Sequence, residues 1–115
     1  MLSFDIETEG LDWSVHRIAV ASVYDPSRGI EETFNFVKDE ADRQNNVNAF
    51  LQHLDDAPGL CCFNGVKFDI PFIQHAFSVS DDRVHQWMLK LFDIFEVCRL
   101  AFGSSCSLDN LLKVH

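Results

Sequence analysis

Two acidic side chains stand two residues apart near the start of the chain, in the segment SFDIETEG. Asp5 and Glu7 interrupt an apolar run that ends at a glycine, which is typical of a buried β-strand. Because alternate residues of a strand share a face, the two carboxylates are expected to project together, about 6.6 Å apart. A buried carboxylate is costly unless something pairs with it, and Mg²⁺ prefers carboxylate oxygens. The pair can therefore hold a metal ion jointly, although a D-x-E on its own is more commonly a solvated strand end.

A third acid, Asp69, comes after a short apolar run that ends at Asn64 and Gly65. Ligands of open α/β sheets bind outside the carboxyl ends of the strands, and this acid is expected there. Two ions about 3.5–4 Å apart can stabilise both the attacking and the leaving oxygen at phosphorus, but they need more than two carboxylates. We therefore predict that Asp69 joins the acids of the first strand in holding divalent cations.

Three strands are predicted in the first third of the chain. Short runs of residues that favour strands lie at 2–8, 17–24 and 32–37. A turn at 25–29, which contains Pro and Gly, joins the second run to the third. The three strands are therefore expected to form an antiparallel meander.

Helices and strands are predicted to alternate in the remainder, because the apolar spacing changes from two to 3.6 residues. In chain order we expect a helix through 47–54, a strand at 60–63, a helix that begins near Pro71, a loop at 78–83, a strand near 89–92, a helix after Asp93 and a short helix from Ser107. A meander followed by such units implies an α/β fold, a mixed sheet with helices on both faces.

The length and composition limit the class of protein. The 115 residues suffice for one core and are too few for two, so residues 1–115 are predicted to form a single domain. The hydrophobic fraction of 47% excludes a disordered chain. We expect a soluble intracellular chain, cytoplasmic or nuclear and without a membrane partner, because the four cysteines lack metal or redox spacing and no signal peptide or membrane span is recognisable.

The formal net charge of −9 argues against a nucleic-acid partner, because such proteins usually neutralise phosphates with a basic patch. This objection weakens if the carboxylates hold divalent cations, since bound ions are then the largest positive charges of the site.

Two motifs of the chain resemble those of a known family. The segment FDIET-x-GL at 4–11 and the segment N-x-x-x-F-D at 64–69 resemble the first and second motifs of the DnaQ-like, or DEDD, 3′-to-5′ exonucleases, which have a ribonuclease H-like fold. The segment FDIFEVCRLAFGSSCSLDNLL at 92–112 is similar to that family's acid, helix, loop and SL-x-x-L helix. The form NG-x-x-FD-x-P is similar to the exonuclease domains of B-family polymerases and to stand-alone domains related to them.

The resemblance implies a two-metal-ion hydrolysis of phosphodiester bonds at the 3′ end of single-stranded DNA or RNA. It implies that two Mg²⁺ or Mn²⁺ ions are held by the catalytic residues Asp5, Glu7 and Asp69. It further implies four substrate-binding residues: Thr8, Leu11, Asn64 and Phe68. Among them, Leu11 would be an apolar wedge at the terminal nucleotide.

Asp93 has two interpretations. An acid at the start of a helix is most simply an N-cap, and the resemblance allows it instead to support the metal ligands from behind.

Two alternatives to an active exonuclease remain. The family's fourth metal carboxylate and its general base would lie beyond SLDNLL, so the chain is expected to be a truncated domain without the last helix. A partner chain or a polymerase is a further candidate partner. The first alternative is that the chain is a catalytically defective or partial module that binds nucleic acid or protein. An aspartyl phosphatase with Asp5 as nucleophile is disfavoured by Glu7, because that family has Asp at this position.

Overall fold

A five-stranded mixed sheet organises the chain in the computed structural model, which describes residues 1–37, 40–95, 97 and 100. The strands are β1 (Leu2–Thr8), β2 (Ile18–Asp25), β3 (Ile30–Asn35), β4 (Leu60–Cys62) and β5 (Leu91–Asp93). The helices are α1 (Glu40–Asp56), α2 (Asp69–Phe77) and α3 (Asp81–Met88).

The order of strands in the sheet is β3-β2-β1-β4-β5. β1, β2 and β3 pair in the antiparallel direction, with Asp5 opposite Ser22 and Ser22 opposite Thr33, which confirms the predicted meander. β4 pairs with β1 and β5 with β4 in the parallel direction. The carboxyl ends of β1, β4 and β5 therefore lie at one edge of the sheet. This confirms the predicted α/β class and mixed sheet, whereas the described helices do not show the predicted cover on both faces.

The hydrophobic core lies on one face of this sheet. Leu2, Phe4 and Ile6 of β1 face it, and the buried side chains of all three helices belong to the same cluster. The described helices thus cover one face, whereas the opposite face carries the polar side chains that alternate along β1. The helices predicted after Asp93 and from Ser107 lie largely outside the described residues.

α1 shows where apolar spacing predicts a helix and where it does not. Val47, Phe50, Leu51 and Leu54 are buried, as their spacing predicts, and the Phe50 ring centroid lies 6.0 Å from that of Phe34. The helix begins at Glu40, seven residues before the first of these positions. Its polar first two turns lack apolar periodicity, which is why the prediction began too late.

The predicted loop at 78–83 is wrong, because α3 begins at Asp81. Ser80 is its N-cap and accepts a hydrogen bond from the Arg83 backbone N–H at 3.2 Å. A tertiary contact holds this helix against α1: the fully buried Trp87 donates its indole N–H to Asp55 of α1 at 2.7 Å.

Strand bounds differ from the predicted ones by one to two residues. β3 begins and ends two residues earlier than predicted, β4 ends one residue earlier, and β5 begins two residues later and ends one residue later. Within the described part of the chain, none of the helices has both the length and the apolar character needed to cross a membrane.

Candidate active site

Asp5 and Glu7 project from the polar face of β1. Both side chains are exposed, because the alternation of the strand turns Phe4 and Ile6 toward the core. The expectation that the strand buries its two acids is therefore wrong, although the two carboxylates share a face as predicted. The backbone pairing of β1 with β2 shifts register between Glu7 and Thr8, immediately beyond these acids.

Asp69 is the first residue of α2 and is only 4% exposed. Burial, together with the smaller effect of the charges of Asp5 and Asp93, raises the pKa of its carboxyl to about 7. Asp5 and Asp69 therefore lie close enough to repel each other. In the ranges the structure describes, no three His, Cys, Asp or Glu side chains are grouped closely enough to hold one ion together.

Asp93 lies at the carboxyl end of β5 and is buried. Its Oδ1 accepts hydrogen bonds from the backbone N–H groups of Asn64, at 2.8 Å, and Phe95, at 3.0 Å. Its Oδ2 accepts a hydrogen bond from the Val66 N–H at 3.1 Å. One carboxylate thus caps the residues after β5 and also holds the turn that follows β4.

The turn between β4 and α2 requires a glycine at position 65. A Cβ atom at Gly65 would lie 2.8 Å from the Cβ of Cys62 and closer still to its Sγ. The Gly65 carbonyl accepts a hydrogen bond from the Ile70 N–H at 2.7 Å, so this tight turn sets where α2 begins. Burial, with Asp93 and Asp69 nearby, raises the pKa of the Cys62 thiol to about 12. The thiol stays protonated at neutral pH and is a packing group.

Asn64 has a backbone φ of 60°, in the left-handed region that Asn tolerates. Its side-chain Oδ1 is buried and receives no hydrogen bond from the described residues. A buried acceptor without a donor costs about 1–3 kcal/mol, so this oxygen is suited to a donor from outside the described residues.

The other predicted substrate residues differ in their exposure. Leu11 is 84% exposed on the loop after β1. The Thr8 hydroxyl donates to the Gly10 carbonyl at 2.6 Å and so stabilises that loop. The ring of Phe68 packs against Phe72, with ring centroids 5.0 Å apart, and borders the core. The structure thus leaves Leu11 open to a ligand and uses much of Phe68 for packing.

Trp13, which sequence reasoning did not single out, lies on the same loop. Its side chain is 44% exposed, and its ring meets the His75 ring of α2 edge to face, with centroids 5.1 Å apart. The available signal was an aromatic residue between two polar ones, Asp12 and Ser14, in a segment without apolar periodicity.

Comparison with solved structures shows a shared fold. A family B DNA polymerase from the hyperthermophilic archaeon Pyrobaculum calidifontis aligns with 67% of this chain at 23% identity and a TM-score of 0.54, over 10% of its own length. E. coli Exonuclease I in complex with a dT13 oligonucleotide aligns with 92% of this chain at 17% identity and a TM-score of 0.55, over 31% of its length. The zinc-bound form of the E. coli ExoI-ssDNA complex aligns over 30% of its length, with 92% of this chain, 18% identity and a TM-score of 0.52.

The chain thus spans about a third or less of the solved chains that it matches. No curated protein matches it in sequence. The model of the RNase H superfamily matches residues 2–113, nearly the whole chain. This match and the fold shared with an exonuclease and a family B polymerase confirm the resemblance seen in the two motifs. The chain belongs to the RNase H superfamily.

Proposed function

We propose that this chain carries the site of a 3′-to-5′ exonuclease that hydrolyses phosphodiester bonds of single-stranded DNA or RNA with two Mg²⁺ or Mn²⁺ ions. The observation that carries this proposal is the position of Asp69. It lies at the carboxyl ends of the parallel strands, where burial, and then the charges of Asp5 and Asp93, raise its pKa. A carboxyl group held beside other acids is unfavourable when ionised, and a cation would reverse that cost.

Asp5, Glu7 and Asp69 would hold the ions. The donor chemistry fits, because carboxylate oxygens are the ligands that Mg²⁺ prefers, although no three of the described acids are gathered around one ion. The buried Asn64 Oδ1 would offer a neutral acceptor to a metal-bound water or a substrate hydroxyl. When bound, such ions lower the pKa of an attacking water and neutralise the charge that develops on the leaving oxygen.

The chain's own residues would bind and orient the strand. Leu11 is exposed on the loop that Thr8 stabilises and would contact the terminal nucleotide. Asp93 would act as a positioning residue, since it holds the turn that leads to Asp69. The solved Exonuclease I complex contains a dT13 oligonucleotide, which supports a single strand as the substrate of this chain.

The net charge of −9 is compatible with this function only when cations are bound. Divalent ions at the carboxylates would supply the positive charge that a basic patch supplies in other nucleic-acid-binding proteins. A partner chain, such as a polymerase, is the proposed source of any further carboxylate.

A cleavage assay with a 5′-labelled single strand tests the proposal. In Mg²⁺ or Mn²⁺ we expect a ladder that shortens from the 3′ end, and we expect Asp5→Ala and Asp69→Asn to abolish it. Asp42→Asn is the matched control, because Asp42 lies exposed in the first turn of α1, and this variant should cleave like the wild type. Absence of a ladder from the wild type in both metals would contradict the proposal and favour a module that binds without cleaving.

A further inference from the structure

An open groove of about 520 Å³ lies between the loop after β1 and the helices α2 and α3. It is lined by Trp13, Pro71, Gln74, His75, Ser78 and Asp81. Pro71 lies two residues after Asp69 on α2, and His75 lies six residues after it, which is about 9 Å along the helix axis. Along α2 the groove therefore starts in the same first turn as Asp69, although on a different side of the helix.

The backbone around Trp13 is held in a hydrogen-bonded turn, and its indole ring contacts one neighbouring ring. The side chain of Asp12 accepts hydrogen bonds from the Ser14 N–H at 2.9 Å and the Ser14 hydroxyl at 2.6 Å. The Asp12 carbonyl accepts from the N–H groups of Val15, at 3.2 Å, and His16, at 2.9 Å. The His75 ring supports the indole from one side. A held backbone and a ring contact reduce the entropy that the Trp13 side chain loses when a ligand stacks on it.

The charges of the groove favour a nucleobase over a phosphate. Its lining residues include the acid Asp81 and contain no Lys or Arg. Asp81 itself accepts a hydrogen bond from the Gln74 side-chain amide at 2.7 Å, so these two polar groups are already paired. An exposed aromatic face without a cation can stack any base, because every base has a π-face.

We propose that Trp13, supported by His75, stacks an unpaired nucleobase of a single strand whose 3′ end lies at the carboxylates. This inference rests on the proposed function for the position of the strand. Leu11 would contact the terminal nucleotide, and Trp13, two residues further along the same loop, would contact an internal one.

Binding measurements on the 115-residue chain test this inference without depending on cleavage. The probe is a fluorescein-labelled thymidine oligonucleotide of about ten residues, bound in Ca²⁺ and followed by anisotropy. We expect Trp13→Ala to weaken binding by about fivefold to a hundredfold, and Trp13→Phe to retain most of the affinity. Leu89→Ala is the control, since it removes another exposed apolar side chain and should leave binding unchanged.

Oligonucleotides with one abasic position locate the stacked base. When that base is missing, Trp13→Ala should cause no further loss of affinity, whereas an abasic position elsewhere should leave the effect of Trp13→Ala intact. Indole fluorescence gives a second readout. Trp87 is fully buried, so quenching on addition of the oligonucleotide should come from Trp13 and disappear in Trp13→Phe.

The outcomes separate this inference from the proposed nuclease activity. Trp13-dependent binding without cleavage supports the inference and contradicts the exonuclease. Cleavage by the wild type, together with unaltered oligonucleotide binding by Trp13→Ala, supports the exonuclease and contradicts the inference. The inference is also overturned if the wild type does not bind the oligonucleotide, or if a fully abasic strand binds equally well. Circular dichroism of each variant shows that a loss of affinity is not a loss of fold.

Discussion

At the scale of single residues, burial separates the acids of the candidate site into two kinds. Asp5 and Glu7 are exposed on the polar face of the sheet, whereas Asp69 and Asp93 are buried. Asp93 is satisfied by three backbone N–H groups. The pKa of Asp69 is instead raised to about 7, first by burial and then by its acidic neighbours. Asp69 is therefore the acid of this site whose ionisation the fold disfavours most.

The raised pKa of Asp69 predicts a pH-dependent stability in metal-free buffer. Its folded pKa of about 7 lies above the usual value of 3.8, so the ionised carboxylate is unfavourable in the folded state. The free energy of unfolding is therefore unaffected below about pH 4 and falls as the pH rises toward 7. We expect Asp69→Asn to exceed the wild type by about 2–4 kcal/mol in free energy of unfolding at pH 8, and to equal it near pH 4. Urea denaturation in a chelator measures this difference.

Asp42→Asn is the control, because it removes an exposed acid from α1 and should show no such pH-dependent gain. A gain for Asp69→Asn that is equally large at pH 4 and pH 8 would contradict the assigned titration.

At the scale of elements, the ends of β4 and β5 are joined through Asp93. Its carboxylate bridges 29 residues of sequence to reach the Asn64 N–H, and it holds the turn from which α2 starts. Gly65 allows that turn to lie directly on Cys62. The position of Asp69 is therefore set by a second acid and a glycine as well as by its own helix.

Removal of Asp93 should loosen this turn specifically. Asp93→Ala leaves three backbone donors without their acceptor, and we expect a loss of about 2–4 kcal/mol in free energy of unfolding. Amide hydrogen exchange should accelerate at Asn64 and Val66 beyond what the global loss explains. Asp56→Ala is the matched control, because Asp56 is exposed at the end of α1. Unaltered exchange at Asn64 and Val66 in Asp93→Ala would show that the turn holds itself.

At the scale of the whole molecule, the net charge and the position of the exposed acids both disfavour the approach of a polyanion. The chain carries a net charge of −9, and its described helices cover one face of the sheet while Asp5 and Glu7 project from the other. A polyanion approaching this acidic surface is repelled unless cations are bound between them.

The net charge predicts that strand binding depends on divalent cations. Replacing a chelator with Ca²⁺ should strengthen binding of a labelled single strand at least about tenfold, because the ions neutralise the carboxylates. Sodium chloride at the same ionic strength is the control, since it screens charge without occupying the site. An equal effect of the two salts in the anisotropy assay would argue against a divalent-cation site.

The sequence by itself determined the properties that depend on local periodicity. The meander, the buried face of α1 and the shared face of Asp5 and Glu7 follow from apolar spacings of two and 3.6 residues. Two short motifs were enough to indicate the family. Element ends were less accurate, because the polar start of α1 and the capped start of α3 carry little apolar signal.

Only the tertiary structure decided which acids are buried. The strand expected to bury Asp5 and Glu7 exposes them, and Asp69 and Asp93 are buried instead. The paired role of Asp93, the close packing of Gly65 on Cys62 and the contact of Trp13 with His75 likewise came from the fold. The physical reason is that burial and pKa depend on neighbours brought together from distant segments, and local spacing does not specify those neighbours.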